Sequence, residues 1–306
     1  MSLKKNIYYL LIAAVLILSA CSKEVPVFDA DNAFTYLQKQ MEFGPRNPGS
    51  TGHSACRDWL VSELKRFSPR VARQNFKHFD ARLDTTIVMT NIIASFNTES
   101  KQRIVLCAHW DTRPFADMDK GANALQPVPG ANDGASGVAV LLEIARLMHM
   151  QSPPIGVDIV LFDGEDYGPQ GSLDEYFLGS RYFANNLATY RPRFGILLDM
   201  VGDAQLSLPV EYNSKMFASF VVDKVWGAAE QLGYSEFSRN IGSSVNDDHI
   251  QLNQAGIPCV DIIDFQYPDK SHKYWHTLQD TADKCSPQSL KVVGQTVLQV
   301  IYNEDV

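Results

Sequence analysis

The chain has 306 residues, of which 45% are hydrophobic and 20% are charged, as is ordinary for a folded globular protein. Its net charge of -8 argues against nucleic acid as a partner, because nucleic-acid-binding domains carry basic surface. Five cysteines are present without a CxxC pair, so their spacing does not indicate a thiolate zinc site.

The first 21 residues predict a bacterial lipoprotein signal peptide. Lys4 and Lys5 precede an apolar run over 7–18, which is shorter than the roughly 20 residues that a membrane span needs. Small residues lie directly before Cys21, as is typical where the cysteine receives lipid and becomes the new N-terminus. The alternative is an uncleaved anchor with an incidental cysteine. In both cases we expect a lipid-anchored or membrane-held protein of the cell envelope, periplasmic or associated with the outer membrane.

The remaining chain predicts a short tether over 22–31 and one folded domain over 32–306. About 285 residues follow Cys21, which is close to the upper size for a single hydrophobic core. Cys107 and Cys259 lie in apolar runs, and we expect both to be buried free thiols.

Apolar runs that alternate with helical periods predict an α/β fold. Continuous apolar strands between helices are typical of a mostly parallel, doubly wound mixed sheet with helices on both faces. The long loop over 114–129 is either a cover over the site or a surface loop. Strands are predicted over 103–108, 157–162, 194–198 and 257–263, and helices over 32–40, 53–67, 135–149, 180–187, 215–232, 247–254 and 289–302.

Acidic and imidazole side chains follow three of these strands, at the point where each strand ends. They are His109, the pair Glu165 and Asp166, and Asp199. Ligands bind beyond the carboxyl ends of the strands in open α/β sheets, so we expect these side chains at one rim. Asp133 precedes a predicted helix and adds a further carboxylate.

Each of these residues has a structural alternative. Asp133 is typical of a helix N-cap, Asp199 of hydrogen bonding at a strand end, and the Glu165-Asp166 pair of a solvated acidic turn. His276, in a later loop, is by itself more typical of a structural histidine than of a metal ligand. Taken together, however, the acidic residues of this rim would be buried like charges, which are costly without a cation. Carboxylates mixed with imidazole suit zinc with one position left open.

The order of the motifs resembles that of the M28 zinc aminopeptidase family. More narrowly, it is similar to the glutaminyl cyclases (glutaminyl-peptide cyclotransferases) of the bacterial, animal-like type. The resemblance runs from about residue 43 to the C-terminus, nearly the whole mature chain. Its motifs are His109-Trp110-Asp111, Gly130 to Gly137, Phe162 to Asp166, Leu198-Asp199, Asp247-Asp248-His249 and Trp275-His276-Thr277.

The resemblance implies a zinc-dependent acyltransferase that cyclises the N-terminal glutamine of peptides or proteins to pyroglutamate and releases ammonia. It implies one zinc ion per chain, held by Asp133, Asp166 and His276. It also implies that Glu165 is the general acid and base. The expected partners are peptide or protein substrates with N-terminal glutamine, and the expected state is a monomer.

Further site roles also come from the resemblance. Asp199 and Asp247 match two carboxylates that support proton transfer, and Trp275 matches a tryptophan of the substrate pocket, with a core tryptophan as its alternative. The animal enzymes have another tryptophan a few residues after the acidic pair, which this chain lacks. Trp110 is our candidate for that wall. His109 has no role in the single-zinc arrangement.

Two other functions stay open. In a two-zinc M28 aminopeptidase, His109 and Asp199 are second-metal ligands. Asp247 stands where the aminopeptidases have serine, which favours the cyclase. Position 166 is Asp rather than Glu, and this difference does not by itself favour either enzyme. An inactive envelope binding protein on the same fold is the third hypothesis, although no ligand or base position is lost.

Overall fold

The structure is a computed structural model that describes residues 24–305. The predicted signal peptide, the predicted lipidation site at Cys21 and the first residues of the predicted tether lie outside these residues. Between residues 24 and 305, no helix is long and apolar enough to cross a membrane.

A mixed sheet forms the centre of the described chain. Its strands are β1 (Arg70–Asp80), β2 (Thr85–Phe96), β3 (Arg103–His109), β4 (Gly156–Phe162), β5 (Gly195–Asp199) and β8 (Cys259–Ile263), and β6 (Leu208–Val210) pairs with β7 (Phe237–Ile241) in a small second sheet. Within residues 24–305 the main sheet has these six strands in the order β1-β2-β4-β3-β5-β8, and β4, β3, β5 and β8 run parallel while β1 and β2 are antiparallel to their neighbours. The predicted mostly parallel α/β fold is confirmed.

Helices cover both faces of the main sheet, as predicted. Neighbouring strand residues point to opposite faces. Leu106 therefore belongs to the large core, while Cys107 belongs to a smaller core with Phe183 and Leu252 from two helices on the other face. The helices are α1 (Ala30–Met41), α2 (Thr51–Phe67), α3 (Ala135–Met150), α4 (Leu178–Asn185), α5 (Tyr212–Phe217), α6 (Ser219–Leu232), α7 (Asp248–Gln254) and α8 (Pro287–Asn303).

Local sequence signals explain several helix boundaries. The side chain of Ser50 accepts a hydrogen bond from the backbone N–H of His53 and begins α2, and Ser286 caps α8 ahead of Pro287. The helix predicted over 215–232 is divided instead, because the backbone leaves helical geometry at Ala218. This break lets α6 turn the buried Val222 into the core independently of α5.

The hairpin of β1 and β2 is the largest element that the sequence analysis did not predict. β1 is an edge strand in which Arg70, Arg73 and Lys77 are exposed, so no apolar run marks it. At the N-terminus, α1 begins at Ala30, inside the predicted tether, and Phe28 is buried.

All four cysteines within the described residues are buried free thiols. They include Cys107 and Cys259, so the expectation for these two is confirmed. The remaining pair is Cys56 and Cys285.

Candidate metal centre and active site

The carboxyl ends of three parallel strands deliver the predicted side chains to one rim. His109 is the last residue of β3, and Asp199 is the last residue of β5. Glu165 and Asp166 follow β4 in an irregular turn, and Asp133 precedes α3. The structure therefore brings these residues together as the strand-end pattern predicted.

Asp133, Asp166 and His276 form a three-residue cluster with ligand atoms that all lie within 4.8 Å of one another. His276 Nε2 lies 3.3 Å from Asp166 Oδ2 and 3.6 Å from Asp133 Oδ2. Asp166 Oδ2 is buried and has no hydrogen-bond partner. Burial, and then the charge of Arg113, lower the pKa of His276 to about 3, so its imidazole is neutral and able to bind metal. Two carboxylates and a neutral imidazole suit zinc, with a fourth position left for substrate.

The backbone at His276 supports the same conclusion. Its φ is 55°, in the left-handed region that non-glycine residues seldom adopt. Such a conformation persists where surrounding contacts over-determine it, often at functional sites. Here the backbone N–H of Met118 donates to the carbonyl of His276 at 3.3 Å, so the 114–129 loop supports the His276 loop from the side.

Arg113 was missed by the sequence analysis, and it holds one of the candidate ligands. Its guanidinium is buried and donates to Asp166 Oδ1 at 2.7 Å and to Asp117 Oδ1 at 2.8 Å. One oxygen of Asp166 is therefore occupied, and Oδ2 faces His276. Asp117 Oδ1 also lies 3.8 Å from His276 Nδ1. The Arg113–Asp117 pair therefore lies beside two of the candidate ligands, Asp166 and His276.

Two further buried acids hold the backbone that carries the ligands. Asp111 accepts from the backbone N–H of Glu165 at 3.1 Å and from that of Asp166 at 3.3 Å. Asp280 accepts from the backbone N–H groups of Asn132 and Asp133 at 2.8 and 3.1 Å. These bonds fix both ligand-bearing turns without using the ligand side chains.

Asp133 is not a helix N-cap, which was its structural alternative. Gly134 occupies that position, and no side chain caps α3. Gly134 has a φ of 101°, and a Cβ there would lie 2.5 Å from the carbonyl oxygen of Asp111. The tight glycine turn leaves the Asp133 carboxylate facing the imidazoles.

His109 connects the first cluster to Asp199. Its Nε2 lies 3.1 Å from Asp133 Oδ1 and 3.1 Å from Asp199 Oδ1. Burial disfavours the charged imidazole, but the neighbouring carboxylates of Asp111, Asp133 and Asp199 raise the pKa of His109 well above its usual value. The arrangement is therefore consistent with a protonated His109 that ties the two carboxylates together. It is also consistent with a second metal, because the same three groups form another candidate ligand cluster.

Glu165 lies beside these clusters in a strongly acidic environment. Burial raises the pKa of Glu165 well above its usual value, the charges of Asp166 and Asp247 act in the same direction, and His109 opposes them. Burial and the charge of Asp199 raise the pKa of Asp247 to about 7. Both carboxyls therefore hold a proton more readily than ordinary carboxyls do, as a general acid and base requires.

A cavity of about 270 Å³ opens onto the cluster. Trp275 lines it and stacks on His276, with ring centroids 3.8 Å apart and an interplanar angle of 26°. Phe265 packs edge-on against Trp275, with ring centroids 5.4 Å apart, and lines the same cavity. Leu173 and Phe177 also line the cavity, so the run over 167–177 contributes to the pocket.

Trp110 does not line this cavity, and its assignment to the substrate wall was wrong. It is fully buried in the large core and stacks on His53, with centroids 4.4 Å apart. Its Nε1 donates to the carbonyl of Thr90 at 3.2 Å. Strand alternation explains the error, because Trp110 follows His109 directly and points to the other side of the chain.

Residues 91–301 match the model of peptidase family M28, and the chain belongs to that family. Among solved structures, it is similar to the glutaminyl cyclase of Bacteroides thetaiotaomicron bound to N-acetylhistamine. That likeness has a TM-score of 0.87 and 43% identity, and it covers 92% of this chain and 100% of the other. A Zn-dependent exopeptidase from Parabacteroides distasonis is 41% identical, with a TM-score of 0.87 and the same coverage. The glutaminyl-peptide cyclotransferase of Bos taurus is 24% identical over 303 residues, covering 85% of this chain and 78% of the relative.

Proposed function

We propose that the chain is a zinc-dependent glutaminyl-peptide cyclotransferase that converts N-terminal glutamine to pyroglutamate and releases ammonia. The observation that carries the proposal is the placement of Glu165, whose pKa is raised, beside the cluster of Asp133, Asp166 and His276. The aromatic wall of Trp275 belongs to the same cavity. Likeness to cyclases over most of the chain supports the same reaction.

Asp133, Asp166 and His276 are the residues that would hold zinc. Bound zinc supplies Lewis-acid polarisation of the substrate's side-chain amide carbonyl. Glu165 accepts a proton from the attacking α-amine and returns it to the leaving nitrogen, which departs as ammonia as the new ring C–N bond forms and the old C–N bond breaks. Asp199 and Asp247 support this transfer as neighbouring proton acceptors and donors. The charge of Asp247 also helps to keep the affinity of Glu165 for a proton high.

The pocket walls favour cyclisation over hydrolysis. Trp275 and Phe265 present apolar surface beside His276, and apolar walls exclude competing water. A substrate folded so that its amine meets its own amide also gains the rate advantage of an intramolecular reaction.

The test is a mass measurement on a Gln-initiated peptide incubated with the zinc-loaded protein. We expect a loss equal to one ammonia, and no change in the same peptide with an acetylated N-terminus, because its amine cannot attack. Release of the first residue would instead identify an aminopeptidase. An unaltered Gln-peptide would support a binding protein.

The two-zinc aminopeptidase is the second candidate, and the geometry of Asp133 is the observation that favours it. Its two oxygens face different imidazoles, Oδ1 toward His109 and Oδ2 toward His276. Metal analysis separates the candidates. About one zinc per chain is expected for a cyclase and about two for the peptidase, which needs both clusters filled.

We also propose that the enzyme is a monomer anchored to a membrane of the cell envelope through lipid on Cys21. The support is the sequence of the predicted signal peptide. Mass spectrometry of the N-terminal peptide checks the modification, and gel filtration in detergent checks the monomer.

Trp275→Ala is expected to lower kcat/KM for a Gln-peptide by about two- to twelvefold. A stacked aromatic pair contributes about 0.5–1.5 kcal/mol beyond its buried area, and 1.36 kcal/mol corresponds to a factor of ten. Steady-state kinetics of ammonia release measure the effect. Trp275→Phe, which keeps an aromatic face against His276, is the control and should retain most of the activity. Unchanged kinetics for the alanine variant would remove Trp275 from the pocket.

A further inference from the structure

The chain enters the described structure at the end of the molecule opposite the candidate metal centre. Helix α3 begins two residues after Asp133 and ends at Met150. At 1.5 Å per residue, its 16 residues span about 24 Å. At the far end, the side chain of Gln151 donates to the carbonyl of Glu24 at 2.6 Å. Glu24 therefore lies about one helix length away from Asp133.

Residues 24–29, which we call the N-terminal strap, are fixed in this position. The backbone N–H of Phe28 donates to Gln295 Oε1 at 2.9 Å, and Gln295 Nε2 donates to the carbonyl of Pro26 at 3.1 Å. Phe28 is 2% exposed. The strap therefore cannot swing toward the metal centre without breaking buried packing against α8.

Helix α1 confirms the direction of the chain. Asn32, near its start, donates to Glu143 Oε2 at 2.6 Å, while Gln40, near its end, donates to the carbonyl of Ala135 at 3.0 Å. α1 thus runs antiparallel to α3, from the far end toward the metal centre. The strap precedes α1, so it lies at the far end.

Cys21 has a short covalent reach from this point. Three residues of extended chain cover at most about 11 Å, so Cys21 lies within that distance of Glu24. The far end also exposes apolar side chains, with Val27 75% and Met150 70% exposed. Both residues line one open groove together with Glu24.

We propose that this far end, formed by the strap and Met150, is a membrane-contact surface that holds the catalytic rim away from the lipid. The inference rests on lipidation of Cys21 and is independent of the reaction catalysed. A short linker on a fixed strap leaves little freedom to tumble, so Val27 and Met150 contact the headgroup region. The metal centre then opens toward the aqueous phase, where it meets the N-termini of free peptides and of extended proteins.

The test compares two labelled variants of the full-length lipidated protein in phosphatidylethanolamine and phosphatidylglycerol vesicles. Met150→Cys reports on the far end. Leu125→Cys is its matched control, since Leu125 is also 70% exposed but lies on the loop that follows β3 at the catalytic rim. A thiol-reactive fluorophore labels these positions selectively, because the four native cysteines of the described chain are buried. Vesicles that contain nitroxide-headgroup lipid then quench whichever label lies near the bilayer.

We expect roughly threefold or more stronger quenching at position 150 than at position 125, because Met150 lies at the far end of α3, about 24 Å along the helix from the catalytic rim that carries Leu125. A flexible Gly/Ser insertion after Lys23 should reduce this difference. Equal quenching, or stronger quenching at position 125, would overturn the proposed orientation. An unmodified Cys21 in the mass spectrum would overturn the anchor and this inference with it, while the Gln-peptide assay still tests the reaction separately.

Discussion

Glu165→Gln is expected to lower kcat for Gln-peptide cyclisation by about 10²–10⁴-fold, the range that general acid and base catalysis contributes. Glutamine has the same shape but cannot accept and return the proton that must move from amine to leaving nitrogen. The backbone N–H at this position donates to Asp111, so the substitution leaves the turn intact. Initial rates of ammonia release measure kcat, and metal analysis should find zinc unchanged.

Glu175→Gln is the matched control, because Glu175 lies on the same loop but pairs with Arg82 at 2.9 Å. It should retain near-normal kcat. If the Glu165→Gln enzyme keeps more than about a tenth of the normal kcat, another group carries the proton, and Asp247 is the next candidate. A loss of zinc in this variant would instead assign Glu165 to metal binding.

The central sheet was predictable because burial leaves a simple record in the sequence. All seven residues of β4 are buried, and its sequence is accordingly an apolar run in which Asp158 is the one charged residue. The outer hairpin leaves no such record, since one face of β1 meets solvent and its polar residues resemble a loop. The break at Ala218 also escaped prediction, because α5 and α6 share one continuous helical period and only tertiary packing separates them.

The candidate ligands were predictable for a different reason. Side chains that directly follow parallel strands converge by topology alone, so His109 and Asp199 meet without any knowledge of packing. Residues that contact the candidate ligands from segments distant in sequence give no such signal. Arg113 contacts Asp166 across 53 positions of sequence, and the Asp280 bond to Asn132 spans 148. The error at Trp110 has the same origin, because chain proximity to His109 did not reveal which way the indole points.

Arg113→Met is expected to weaken zinc binding by about 10–100-fold, the usual effect of removing a group that orients a metal ligand. Burial and the neighbouring charge of Asp133 raise the pKa of Asp166 well above its usual value, and Arg113 opposes them. Without the guanidinium, a proton competes with the metal for Asp166, and Oδ1 loses the bond that aims Oδ2 at the site. Competition with a chelator measures the affinity.

The same substitution should lower the free energy of unfolding of the metal-free protein by about 3–5 kcal/mol, because it leaves Asp166 as a buried acid without its partner. Arg103→Met is the matched control. Arg103 forms a comparable pair with Asp158 at 2.7 Å, away from the metal centre, so its loss should reduce stability without changing zinc affinity. Urea denaturation of both variants, with and without zinc, separates the two effects. Guanidinium charge also repels the metal, so tighter zinc binding in Arg113→Met would show that repulsion outweighs the positioning of Asp166.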